Sequence, residues 1–134
     1  MATSYYLLNS ILTGVLRGPS TSSPGSSLTQ PSATYVGLYT AAPDPTGGGT
    51  EVSGSGYARQ KGNFAAPVNG AIASNADITF PQASGAWGTI IYFGVFDSLA
   101  GGNLLYFAPL TSSRSVLTGD TVKFPSGQLT VTGT

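Results

Sequence analysis

The stretch from Trp87 to Asp97, WGTIIYFGVFD, is the most apolar part of the chain and decides the fold. The side chains of a strand point alternately to its two faces. In this stretch both sets are apolar: Ile91, Phe93 and Val95 fall on one side, and Ile90, Tyr92 and Phe96 on the other. Such a strand is typical of the centre of a sheet that is covered on both faces. We therefore predict a central, doubly covered strand here.

Short apolar runs separated by turn-forming residues surround this strand from Thr34 onward. Tyr57–Lys61 holds two of the basic residues, as edge strands often do, and Asn69-Gly70 is typical of a two-residue hairpin turn. The other runs are Thr34–Thr40, Asp77–Phe80, Leu104–Phe107, Thr121–Phe124 and Gln128–Thr132. About seven to nine short strands with regular turns indicate antiparallel sheets. The sequence thus predicts a mainly β fold, an antiparallel β-sandwich or jelly-roll-like domain over residues 34–134.

The first 33 residues follow a different pattern. Five apolar residues recur at the spacing of one helical face: Leu8, Ile11, Leu12, Val15 and Leu16. With Ser4 as N-cap and Gly18-Pro19 as a stop signal, residues 1–18 are predicted to form one N-terminal amphipathic helix. Its apolar face is expected to contact either the protein's own sheet or a partner. Residues 19–33, rich in Ser, Pro and Gly, are expected to be a linker, or an arm that becomes ordered on a partner.

Charge and composition exclude several classes of protein. Charged residues make up 7% of the chain, against about 25% in an ordinary soluble domain, and the net charge is zero. Nucleic-acid binding needs clustered Lys and Arg, so no nucleic-acid partner is expected. The start of the chain has no positive region typical of a secretory signal. Its longest apolar stretch, Tyr5–Leu16, is shorter than the ~20 residues of a membrane span, so no membrane partner is expected.

The residue types needed for common catalytic and metal sites are missing. The chain has no His and no Cys, which removes the usual catalytic triads and the common zinc, copper and haem sites. Gly47-Gly48-Gly49 lacks the Lys-Ser/Thr pair of a phosphate-binding loop. The sequence therefore predicts no catalytic residue, no metal site and no cofactor.

Five carboxylates remain, and their positions favour structural roles: Asp44, Glu51, Asp77, Asp97 and Asp120. Asp97 and Asp120 occupy turns, where Asp bonds to nearby backbone. Glu51 and Arg59 are plausible partners that join the long loop to the next strand. Trp87 is expected in the core, although stacking on a sugar is the open alternative. We expect no enzyme.

Several blocks of the sequence resemble, in the same order, blocks of small tailed-phage virion proteins. The first is Tyr35–Asp44, YVGLYTAAPD, followed by Thr50–Gly54, TEVSG, and Gly56–Gln60, GYARQ. The later blocks are Asn75–Pro81, Trp87–Thr89, Phe93–Asp97, Gly101–Leu105 and Gly119-Asp120.

The resemblance implies a structural protein of a tailed-phage virion, made in the bacterial host cytoplasm. Its partners would be other virion proteins, either the major capsid protein or tail proteins, and further copies of itself. Two locations compete. The compact domain, the arm and the absence of an elongated shaft favour a capsid decoration (cement) protein. The alternative is a small tail or tail-fibre-associated protein, with glycan binding as one of its roles.

Overall fold

The computed structural model describes Ser4, residues 33–66 and residues 71–132, with the backbone alone for 131 and 132. Every regular element in these ranges is a β-strand: β1 (Thr34–Ala41), β2 (Thr50–Glu51), β3 (Gln60–Gly62), β4 (Ala71–Ala73), β5 (Ile78–Thr79), β6 (Gly88–Phe96), β7 (Leu104–Val116), β8 (Lys123–Phe124) and β9 (Thr130–Thr132). The predicted helix with its apolar face, the predicted arm except Ala33, and the Asn69-Gly70 turn lie outside the described residues. Among those residues, no helix has the length and apolar character to cross a bilayer.

All strand pairs are antiparallel, so the prediction of a mainly β, antiparallel fold is confirmed. The main sheet has five strands in the order β2-β1-β6-β7, with β3 also paired to β1. Two smaller sheets, β4-β9 and β5-β8, each contain two strands. The predicted central strand is confirmed, because β6 lies between β1 and β7.

The main hydrophobic core lies against one face of the five-stranded sheet. Val36 and Leu38 of β1 stand opposite Val95 and Phe93 of β6, and all four side chains are buried. Ile90 of β6 and Tyr106 and Val116 of β7 belong to the same core. It also takes buried residues from the smaller sheets and the loops: Val52, Ile78, Phe80, Ala83, Trp87, Val122, Phe124 and Leu129. Burial of this apolar surface is the main favourable term for folding.

A second, smaller cluster lies on the opposite face of the same sheet. Its buried members are Tyr39, Phe96, Leu104 and Phe107, with Tyr92 packed against them. The central strand therefore contributes buried side chains to both faces, as predicted. One assignment was wrong, because Ile90 joins the main core and not the cluster of Tyr92 and Phe96. The ladder between β6 and β7 is irregular between Ile90 and Tyr92, and strict alternation fails at such a point.

Candidate functional site

A partly buried ion pair lies at the edge of the main sheet, between the segments of β1 that pair with β2 and with β3. Arg59 donates from Nε to Glu51 Oε2 and from Nη2 to Glu51 Oε1, each at 2.8 Å. The side chains are 9% exposed for Arg59 and 23% exposed for Glu51. Two parallel, charge-assisted bonds of this kind are among the strongest that side chains form. The pairing that the sequence suggested is present, and it joins β2 to the residue before β3.

Arg59 also anchors the loop that connects β6 to β7. Its Nη1 donates to the carbonyl oxygens of Ser98 at 2.9 Å and Gly101 at 2.8 Å. Its guanidinium carbon lies 3.5 Å from the ring centroid of Phe96, a cation–π arrangement. One side chain therefore joins β2 to the loop between β6 and β7, which lies much further along the chain.

Tyr57 completes this cluster from the main core. Its hydroxyl donates to Glu51 Oε2 at 2.6 Å and accepts from the Leu38 N–H at 3.0 Å. Burial and the bond to Glu51 together hold the pKa of Tyr57 well above its ordinary value. Val52 N–H bonds to the Leu38 carbonyl, so both backbone groups of Leu38 have partners at a point where β2 has ended and β3 has not begun.

A cleft, which we name the loop cleft, opens beside the ion pair. Residues of the loop between β1 and β2, from Pro45 to Gly49, line one side, and Gly101, Gly102 and Asn103 line the other. Tyr39 and Phe96 of the sheet lie between them. Its volume is about 430 Å³. The remaining lining residues include Ser4 and Leu104. Ser4 is held there by a 3.0 Å bond from its N–H to the Leu105 carbonyl.

Carboxylates shape both walls of the loop cleft. Asp44 Oδ1 accepts from the backbone N–H of Thr46 and Gly48 and from the Thr46 hydroxyl. These hydrogen bonds lower the pKa of Asp44, and the bond from the Thr46 hydroxyl has the largest effect. On the other wall, Asp97 accepts from the Asn103 N–H at 2.7 Å and from its Nδ2 at 3.0 Å. Both loops are thus closed by hydrogen bonds to an Asp side chain, a common use of Asp in turns.

The other residues singled out from the sequence have structural contacts. Asp120 Oδ2 accepts from the Leu117 N–H at 2.9 Å and stabilises the turn after β7. Trp87 is buried, its Nε1 donates to the Ser55 carbonyl at 3.0 Å, and its ring meets Tyr57 edge-on at 5.4 Å. Its ring is therefore enclosed in the core, which removes the alternative of sugar stacking. The described residues contain no group of three or more acidic, His or Cys side chains that could hold a metal.

Sequence reasoning missed Tyr39, Tyr57 and Gly37 as parts of this site. The roles of the two tyrosines depend on where β2, β3 and the β6–β7 loop meet, and that arrangement leaves no local pattern in the sequence. Gly37 pairs with Gly94 of β6 directly below the ion pair. The only available signal was the resemblance, whose blocks contain all three positions.

Comparison with known proteins agrees with this resemblance. A family model described as podophage GP4 fiber I protein gp80 matches residues 2–132, nearly the whole chain. The comparison with curated proteins finds no match. The chain therefore belongs to the podophage GP4 fiber I protein gp80 family and is a structural protein of a tailed-phage virion.

Proposed function

We propose that this protein is a small, non-enzymatic component of the virion's tail fibre. The observation that carries the proposal is the match of residues 2–132 to a family whose description names a fibre protein. This match supports a small tail or tail-fibre-associated protein, which was the alternative drawn from the sequence, better than it supports a capsid decoration protein. The proposal also includes two features predicted from the sequence. The sheets pack as a sandwich or jelly-roll-like domain, and an N-terminal amphipathic helix precedes this domain.

The use of the carboxylates supports a structural role. Each of the five accepts bonds that fix the fold: Glu51 in the ion pair, Asp44, Asp97 and Asp120 in loops or turns, and Asp77 between the Ser126 N–H and Lys123. A general acid or base must be able to exchange a proton with a substrate. Carboxylates held in this way stabilise the fold, and the proposal assigns a catalytic role to none of them.

The partners in this proposal are tail proteins and further copies of the same chain. Low charge supports contact between copies, because little electrostatic repulsion keeps them apart. The apolar face of the predicted helix is the proposed contact with a neighbouring protein. Replacing Leu12 by Asp should then reduce incorporation into virions and leave the unfolding midpoint of the isolated protein unchanged. If the helix face packs on the protein's own sheet, the midpoint should fall instead.

Immunogold electron microscopy of intact virions tests the location. Antibody against this protein should label the fibres, and antibody against the major capsid protein should label the head in the same preparation as a control. Label spread over the head would overturn the fibre proposal in favour of capsid decoration. Virions from a phage that lacks the gene should show no label.

A further inference from the structure

A well-anchored turn at the end of β7 presents an apolar side chain to the solvent. The Asp120 N–H bonds to the Leu117 carbonyl at 3.0 Å, and the Leu117 N–H bonds to Asp120 Oδ2 at 2.9 Å. Two further backbone bonds, of 2.7 and 2.9 Å, join Gly119 and Asp120 to Ala83. Leu117 is nevertheless 59% exposed. The fold therefore holds the Leu117 backbone in place and leaves most of its side chain in water.

An arginine with unused donors lies beside this turn. Arg114 and Asp120 line the same open cleft, whose volume is about 460 Å³. The Nη1 of Arg114 donates to the Lys123 carbonyl at 3.0 Å, and its guanidinium carbon lies 4.6 Å from the ring centroid of Phe124. Within the described residues, Arg114 forms no ion pair. The guanidinium is thus held in one position, and its Nε and Nη2 donors remain for a group from outside the chain.

Asp120 supplies the opposite charge on the same exposed surface. Its Oδ2 is used by the turn, while no described residue donates to its Oδ1. We name the surface formed by Arg114, Leu117 and Asp120 the turn patch. It combines one cation, one anion and one apolar side chain, and the cation and the anion are not paired with each other. Arg and large apolar side chains in such a grouping are typical of protein–protein contacts.

Leu99 shows how an exposed apolar side chain looks without such neighbours. It is 55% exposed and lies in the loop between β6 and β7. There Arg59 uses Nε, Nη1 and Nη2 within the chain, and Asp97 binds Asn103 through both oxygens. Leu99 is therefore a single exposed apolar residue, which is normal at a protein surface. Leu117 differs because charges of both signs beside it are free to bind.

We propose that two copies of the chain pair through the turn patch about a two-fold axis, with Arg114 of each copy bound to Asp120 of the other and the two Leu117 side chains packed together. A two-fold contact joins one surface to itself and so requires a self-complementary surface, which the turn patch is. The zero net charge of the chain adds little repulsion between copies, and an already fixed turn loses little freedom on binding. The inference rests on the proposed function, which includes contact between copies, and gives that contact a surface.

Leu117→Ser is the decisive variant, because it removes the apolar contact without changing a buried residue. Leu99→Ser is the matched control, since Leu99 has nearly the same exposure. Sedimentation velocity of the full-length protein and both variants, at concentrations up to the millimolar range, gives the dissociation constant of the dimer. Leu117→Ser should weaken the dimer by about tenfold or more, because apolar surface is lost from both copies at once. Leu99→Ser should leave the dissociation constant unchanged.

Exchanged charges test the pairing of Arg114 with Asp120. In a dimer of Arg114→Glu, or in one of Asp120→Lys, like charges would face each other, so each variant alone should be monomeric. In a mixture of the two variants every carboxylate faces a cation, and the dimer should return. Unfolding midpoints show whether the variants fold, because Asp120 also closes the turn. If either is unfolded, the two Ser variants decide alone.

A monomer at every concentration, a dimer that Leu117→Ser does not weaken, equal weakening by both Ser variants, or no dimer in the mixture of folded charge variants would each overturn this inference. Immunogold labelling reads the fibre location separately. Labelled fibres with a monomeric protein would overturn the pairing alone, and a dimer with label on the head would overturn the fibre location alone.

Discussion

The carboxylate of Glu51 occupies the space that a side chain at position 37 would need. A Cβ on Gly37 would lie 2.7 Å from Glu51 Oε2, and also 2.8 Å from Phe96 Cε1 and 2.9 Å from the Tyr57 hydroxyl. Gly37 does not need unusual backbone angles, since its φ is not among the positive values. The absence of a side chain is what lets the ion pair lie flat on the sheet.

Gly37→Ala is therefore expected to destabilise the protein by about 2–3 kcal/mol, the upper part of the range usual for forcing extra atoms into a packed site. Gly127→Ala is the control, because a Cβ there meets nothing within 4 Å and only the φ of 86° opposes it. That control should cost about 1 kcal/mol. Urea unfolding measures both, and equal losses would contradict the steric explanation.

Glu51→Gln should destabilise the fold by about 2–3 kcal/mol, because it leaves the guanidinium of Arg59 buried without a counter-charge. The matched control is the pair of Lys123 and Asp77, which are 54% and 51% exposed at 3.2 Å. Lys123→Met should cost less than about 1 kcal/mol, as exposed pairs do. Urea unfolding of the two variants gives the comparison. A loss for Glu51→Gln no larger than that of the control would show that the buried pair contributes little.

Stability should fall as the pH rises above about 10, because two buried tyrosines must ionise. Burial, followed by the nearby carboxylate of Glu51, raises the pKa of Tyr39 from 10.0 to about 12, and the pKa of Tyr57 is raised as well. A raised pKa in the folded state means that the folded protein keeps the proton that the unfolded chain releases. The contribution of Tyr39 is therefore complete below pH 10 and is lost between pH 10 and pH 12. The loss that comes from Tyr57 continues above this range, because its pKa is raised further.

Urea midpoints across this range, with tyrosinate absorbance followed in parallel, would check the alkaline prediction. Tyr39→Phe should flatten the fall in stability, since it removes one of the two groups. A midpoint that stays constant up to about pH 11 would contradict the burial of these hydroxyls.

Trp87→Ala should cost about 3–5 kcal/mol, the range for removing a large aromatic side chain from a core. Trp87→Phe keeps most of the packing but removes one of the two hydrogen bonds that the Ser55 carbonyl accepts, the other coming from the Ser84 N–H. About 1 kcal/mol should be lost. Trp87 is the single tryptophan, so circular dichroism is the suitable probe for the variants. A folded Trp87→Ala protein of unchanged stability would show that the ring is not a core element.

The central strand could be predicted because β6 is apolar on both faces, a property of its own sequence. The face of Ile90 could not be predicted, since it depends on an irregularity in the pairing of β6 with β7 that has no signal in the sequence of β6 itself. Glu51 and Arg59 could be proposed as partners because charges are few. Tyr57 and Gly37 could not, because their roles arise only when β2 and β3 both pair with the same edge of β1.

The position of the Tyr57 hydroxyl determines which strands can pair with the edge of β1. β2 and β3 follow one another along β1 like a single strand with residues 52–59 looped out. The resulting gap would leave the Leu38 N–H free to pair with a strand of another copy, the first step of disordered aggregation. Tyr57 occupies that donor from within the same chain. The loop insertion therefore carries its own protection against pairing with a foreign strand at this gap.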